Sequence, residues 1–257
     1  MYRDTNCKLQ AHRGVCTEAP ENTLAAFRLA AKEGYELIEL DPKFTKDHMC
    51  VVLHDRTLNR TARIGGRTLG EEKLYVQDLL YAQVKNFEVG SHFSPAFASE
   101  RIPLLSDALH LARELGLECK LDNVVQSFTD EQQEILFRTV EKCGGRVGLT
   151  CTDLDLLQKF AARFPTAPLH YDGEVTEAAL ARILTFSAGH EVTVWMRLAE
   201  NPRTAWCKTP PADEARVALV KRCGFQLGIW LLTEQQHMTA ALALGANVVE
   251  TDGSIKP

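Results

Sequence analysis

The 257-residue sequence predicts a parallel α/β barrel, (β/α)8 of the TIM type. Three observations lead there. Short apolar runs alternate with longer amphipathic ones from end to end. Glycines 34, 116, 144, 224 and 245 follow the amphipathic runs, where a left-handed residue ends a helix. No internal repeat, low-complexity tract or linker divides the chain, so residues 1–257 are read as one barrel domain.

Taken in order, the predicted strands are Lys8–Ala11, Leu37–Phe44, Leu117–Leu121, Arg146–Thr150, Pro168–Tyr171, Glu191–Met196, Gln226–Leu231 and Asn247–Thr251. Between them the helical patterns cover Thr23–Glu33, Leu105–Leu115, Asp130–Cys143, Asp153–Phe164, Thr176–Ser187, Ala212–Cys223 and Glu234–Leu244. Asn22 and Thr129 stand where N-caps are wanted. One segment breaks the alternation. Met49–His54 follows the second strand after only Thr45-Lys46-Asp47-His48. A parallel crossover needs a dozen or more residues, so this run must return antiparallel. It opens an insertion, residues 45–103, over the strand C-terminal ends, where barrel enzymes keep their active sites. The loop Ala199–Pro211 is a long connection. After the last strand only Ser254-Ile255-Lys256-Pro257 remain, too few for an eighth helix. The outer faces of the first and last strands would then lie open, to be covered by Met1–Cys7, by the long loop or by a second subunit; a symmetric homodimer across this gap is the expectation.

Composition narrows the function. Apolar residues at 45% and charged residues at 25% suit a soluble domain with a full core. A net charge of -5 gives no footprint for nucleic acid. No apolar run is long enough to cross a bilayer, and the polar start is not a signal peptide. The cysteines at 7, 16, 50, 119, 143, 151, 207 and 223 show no paired or metal-type spacing and read as reduced thiols, which points to the cytoplasm.

The chemistry concentrates at the strand ends. Glu39 and Asp41, two apart, share one side of a strand, and Glu118 and Lys120 repeat this on the next barrel strand. A solvent-facing strand end explains any single E-x-D as well. Three carboxylates at one mouth repel one another unless a hard divalent cation, Mg²⁺ or Ca²⁺, sits among them. His12-Arg13-Gly14 ends the first strand, and His54-Asp55 ends the returning hairpin strand. Two histidines at one mouth can serve as general acid and base for a phosphoryl substrate. Arg13 offers a planar fork for phosphate oxygens, and Lys120 a point charge.

These residues sit in longer motifs. Ala11-His12-Arg13-Gly14, Pro20-Glu21-Asn22-Thr23-Leu24-Ala25-Ala26-Phe27, Ile38-Glu39-Leu40-Asp41, Thr45-Lys46-Asp47, Val51-Val52-Leu53-His54-Asp55, Leu58-Asn59-Arg60-Thr61 and Ile102-Pro103-Leu104-Leu105 occur in this order over roughly the first half of the chain. Together they resemble the glycerophosphodiester phosphodiesterase family. The resemblance implies one divalent metal held by Glu39, Asp41 and Glu118, His12 and His54 as the acid/base pair, and Arg13 and Lys120 on the phosphate. It implies hydrolysis of a small phosphodiester, such as glycerophosphocholine, to glycerol 3-phosphate and an alcohol. Another small phosphodiester (a lysophospholipid or sugar phosphate ester) and an inactive phosphodiester-binding barrel are the alternatives; an isomerase or aldolase barrel lacks its glycine-rich phosphate loop.

The second half departs from the family pattern at Thr150-Cys151, at Trp230-Leu231-Leu232-Thr233, at Glu250 where an aliphatic residue is usual, and at Gly253; Cys119 also differs. These changes bear on the alcohol moiety. Trp230, with Trp195 and Arg197 alternating on the sixth strand, is read as an aromatic wall with an added positive charge that favours an anionic or polar alcohol. His170 is read either as packing or as part of that pocket.

Overall fold

The computed structural model describes residues 6–199, 201, 204 and 207–257. Eight parallel strands close into a barrel in the order β1 (Lys8–Ala11), β2 (Leu37–Leu40), β7 (Glu118–Leu121), β8 (Val147–Cys151), β9 (Leu169–Tyr171), β10 (Val192–Arg197), β11 (Gln226–Leu232) and β12 (Val248–Thr251), which pairs back onto β1. Around it lie α1 (Leu24–Glu33), α3 (Leu105–Leu115), α4 (Asp130–Cys143), α5 (Leu154–Arg163), α6 (Glu177–Phe186), α7 (Glu214–Arg222) and α8 (Gln235–Leu244). The predicted barrel is the observed one. Among the described residues no helix is long and apolar enough to cross a membrane, and all eight cysteines are unpaired.

The predicted strand Leu37–Phe44 is split. The barrel strand stops at Leu40, and β3 (Pro42–Phe44) bends away to pair antiparallel with β4 (Cys50–Val52). Proline has no N–H for a barrel ladder, so the break falls at Asp41-Pro42 and leaves the Asp41 carboxylate at the rim. The excursion continues through β5 (Arg63–Ile64), β6 (Arg67–Thr68) and the short α2 (Tyr81–Val84). It carries an apolar cluster of its own around Val51, Leu58, Val76, Phe87 and Ile102. That cluster makes it a stable platform for the side chains it presents.

Helix starts follow the capping rules with one informative shift. Thr23, not Asn22, caps α1, its hydroxyl accepting from the Ala26 N–H at 3.2 Å. Asn22 is thereby free for the site. Thr129 caps α4 in a reciprocal box with Gln132, as predicted.

Beyond β12 the chain is not helical. It folds back over the outer side of β1, where Tyr35 donates to the Ile255 carbonyl at 2.6 Å and Lys256 meets Glu33 at 2.8 Å. Ile255 is only 3% exposed and joins the main core with Leu9 and Val249. The apolar strip expected to drive pairing of two copies is therefore covered by the chain itself. Of the two other covers proposed from the sequence, residues 1–5 and 200, 202, 203, 205 and 206 lie outside the described residues.

Inside the barrel, Leu37, Trp195 and Val248 form a small apolar plug with Trp230 against it. Two glycines make room for the large rings. A Cβ on Gly228 would lie 2.6 Å from the Trp195 indole, and one on Gly148 2.5 Å from the His170 ring. We expect Gly228→Ala to cost about 1–3 kcal/mol by overpacking, read as a lower urea midpoint at unchanged slope. Unaltered stability would mean that the indole has space to move.

Candidate active site

The first turn after β1 is shaped by its backbone. Arg13 and Asn22 adopt left-handed φ values of 60° and 56°. Gly14, at φ 82°, lies so close to α1 that a Cβ would sit 2.6 Å from that of Ala26. This turn aims the Arg13 amide at Glu39 Oε2, 3.0 Å away, and brings the guanidinium Nε to 3.5 Å from Asp41 Oδ2. Asn22 donates from Nδ2 to the same Asp41 oxygen at 2.7 Å. The motif residues of the first loop therefore orient the two carboxylates of the second strand.

The third carboxylate is Asp122. Glu39 pairs in register with Lys120, so the residue level with Asp41 is two beyond Lys120. Glu39, Asp41 and Asp122 each offer an oxygen within 4.8 Å of the others. Glu118, the ligand expected from sequence, is at the opposite end of β7, roughly 13 Å lower at about 3.3 Å per residue. There it bonds to Arg146 Nε and lies 3.6 Å from His170 Nε2. The pattern Glu118-Cys119-Lys120-Leu121-Asp122 puts all three charged residues on one side, and only the pairing with β2 shows which of them reach the mouth. The signal for Asp122 was this same period of two, carried one step further.

Burial and mutual repulsion make the trio a candidate cation site. Burial first, then Asp41 and Asp122, pushes Glu39 well above the ordinary carboxylate range. Burial followed by Asp41 raises Asp122 to about 7. Oxygen-only donors held this close suit a hard divalent ion.

Beneath the trio, Lys120 is 6% exposed; its ammonium meets Glu250 Oε2 at 2.8 Å and lies 4.0 Å from the Trp195 ring centre. Burial opposes its charge, but Glu250 and Glu39 outweigh that and raise its pKa. Gln10 donates to the same Glu250 oxygen.

The two histidines occupy different settings. His12 Nε2 is 4.0 Å from Glu39 Oε2, and burial holds its imidazole below the usual range, with Glu250 opposing and Arg13 reinforcing. His54 comes from the excursion and is half-exposed, with Nδ1 2.7 Å from Asp55 Oδ1. Asp55 is itself gripped by Arg60 (Nε–Oδ2 2.7 Å), which also bonds Glu21 at 2.7 and 2.8 Å. Arg60, then burial in opposition, leaves Asp55 ionised with a pKa down at about 2.

A cavity of about 430 Å³ joins these groups. His12, Arg13, Glu39, Asp41, His54, Lys120 and Trp230 line it, as the sequence reading required. Arg197 does not line it; its Nε is buried without a partner. His170 does not line it either: it is packed inside the barrel, accepting from Trp195 Nε1 at 3.1 Å, and burial followed by Lys120 lowers its pKa far below normal. Asp122, Asn123 and Asp172 line it without having been singled out from sequence, and so does Thr150, noted there only as a departure from the family pattern.

Comparisons with known proteins bear on the family. A family model, the Glycerophosphoryl diester phosphodiesterase family, matches residues 12–256. The chain belongs to that family. It is 40% identical to the Bacillus subtilis (strain 168) protein YhdW over 112 residues, 43% of each chain. It is 34% identical to a glycerophosphodiester phosphodiesterase of Caldanaerobacter subterraneus subsp. tengcongensis over 142 residues, 49% of this chain and 55% of that one. These alignments span about half the length of the curated relatives. In three dimensions the chain is similar to an Oleispira antarctica phosphodiesterase solved with sn-glycerol-3-phosphate, at TM-score 0.75 and 19% identity over 96% of this chain and 93% of that one. At that identity the likeness establishes the barrel.

The register makes a direct test possible. Asp122→Asn should abolish most divalent-metal binding, whereas Glu118→Gln should leave it intact and instead destabilise the barrel floor by about 1–3 kcal/mol by weakening the Arg146 contact. Calorimetric titration of both variants with Mg²⁺ and Ca²⁺ checks this, and the opposite ranking would return Glu118 to the metal.

Proposed function

We propose that this family member hydrolyses a small phosphodiester of the glycerophosphodiester type to a phosphomonoester and an alcohol. A divalent ion, Mg²⁺ or Ca²⁺, would be held by Glu39, Asp41 and Asp122. The observation that carries the reading is their convergence in one cavity with His12, His54 and Arg13. When bound, such an ion supplies Lewis acidity and a template for the phosphate.

The protein's own groups account for positioning and proton transfer. Arg13, fixed by Asp41 at 3.5 Å and by Glu21 at 3.4 Å, presents its fork to a phosphate oxygen. His12, whose imidazole burial holds below the usual range, takes a proton from the attacking water as the new P–O bond forms. His54, whose Nδ1 is anchored on Asp55, turns Nε2 to the mouth and delivers a proton to the departing alkoxide as the old P–O bond breaks. Lys120 stays beneath as a fixed positive charge, held by Glu250.

This division of roles has a kinetic signature. Each histidine should contribute roughly 10²–10⁴-fold in rate. A p-nitrophenyl diester needs little protonation of its leaving group, so it should recover much of the activity lost in His54→Ala and little of that lost in His12→Ala. Equal loss on activated and unactivated esters would refute the assignment.

Metal affinity should follow pH. The raised carboxyl of Asp122 still holds its proton below about 7, and a cation must displace it. Affinity should therefore rise between pH 6 and 8 and level off above. Titration in buffers of different ionisation enthalpy should show proton release at pH 6.5 and much less at pH 8.5; a pH-independent affinity would contradict the carboxylate site.

A further inference from the structure

Next round the mouth from Asp122, the ends of β8 and β9 carry groups with no assigned part in the phosphoryl chemistry. Thr150, at the end of β8, is 3% exposed, and its Oγ1 has no hydrogen-bond partner among the described residues. Asp172, just past β9, leaves Oδ1 buried and likewise unpartnered among the described residues, while Oδ2 accepts from Asn123 Nδ2 at 2.5 Å. Both line the cavity, and so do the indoles of Trp195 and Trp230. Buried polar atoms are rarely left unpaired, so two of them in one pocket mark hydrogen bonds that a ligand completes.

Building on the phosphodiesterase reading, we propose that Thr150, Asp172 and Trp230 form a subsite for a polyhydroxylated ring, a sugar or cyclitol, esterified to the phosphate. A ring hydroxyl both donates and accepts, which satisfies a carboxyl oxygen and a threonine hydroxyl together. A trimethylammonium group can set its charge near Asp172 and the indoles, but it has no N–H and would leave the Thr150 hydroxyl without a hydrogen bond and Asp172 without a donor. The apolar face of such a ring packs on an indole, and a cavity of about 430 Å³ has room for it beside the phosphate.

Binding, measured apart from turnover, tests this on the Mg²⁺-loaded protein. Isothermal titration would compare myo-inositol 1-phosphate, glucose 1-phosphate, glycerol 3-phosphate and phosphocholine. At least one ring ester should bind roughly tenfold or more tighter than phosphocholine, and the two ring esters separate a cyclitol from a sugar. Thr150→Val, nearly equal in volume, should bring the preferred ring ester down toward phosphocholine, and Asp172→Asn should do the same. A ring ester no tighter than phosphocholine, or an undiminished preference in a folded Thr150→Val protein, would overturn the subsite. Ring-ester preference without cleavage of any diester would instead keep the subsite and remove the hydrolase. Failure of every phosphate ester to bind would remove both.

Discussion

A lysine ammonium at the centre of the barrel sets the conditions for everything above it. Lys120 is nearly fully buried, and an unpaired charge there would cost several kcal/mol. Glu250 supplies the counter-charge from β12, and the Trp195 ring supplies a π face. Gln10 completes Glu250 from the intervening strand β1. The interior of the barrel thus carries a neutralised pair on an apolar plug. Because Glu250 balances that lysine locally, the rim carboxylates are left with Arg13, 3.5 Å from Asp41, as their neighbouring cation, and a trio of acids beside one guanidinium can take up a further cation.

Much of this was legible in the residues. Alternating runs and the early hairpin gave the barrel and its excursion, since both depend on local period and loop length. That His12, Arg13, His54 and Lys120 share one cavity followed from motifs at strand ends. Glu118 was misplaced because a period of two says which side of a strand a residue faces and not how high it stands. Height is a tertiary quantity, set here by the pairing of Glu39 with Lys120. Asp122 and Asp172 escaped notice for the same reason, each being unremarkable until the closed barrel levels it with the others. Arg197 shows the converse: alternation with Trp195 put it on the pocket side, but the described lining excludes it.

Glu250 illustrates how a departure from a family pattern acquires meaning. As a sequence feature it looked like a change in the alcohol pocket. Structurally it is the partner of Lys120 and, through charge, an influence on His12. A carboxylate at this position places an ion pair inside the barrel, and that pair makes Lys120 an internal structural charge.

The two histidines reach the same cavity by different physical routes. His12 is rigid, extending from β1, and its amide is bonded to the Thr251 carbonyl at 2.9 Å. His54 belongs to the excursion and is brought to the mouth through Asp55, Arg60 and Glu21. Arg60 spans the join, since Glu21 belongs to the loop before α1 and Asp55 to the excursion. An exposed ion pair alone contributes little to stability. A fork that binds two carboxylates from two segments instead restricts their relative position. That restriction is what the proposed proton donor on an inserted loop requires, because proton transfer depends on distance far more steeply than folding depends on one surface pair.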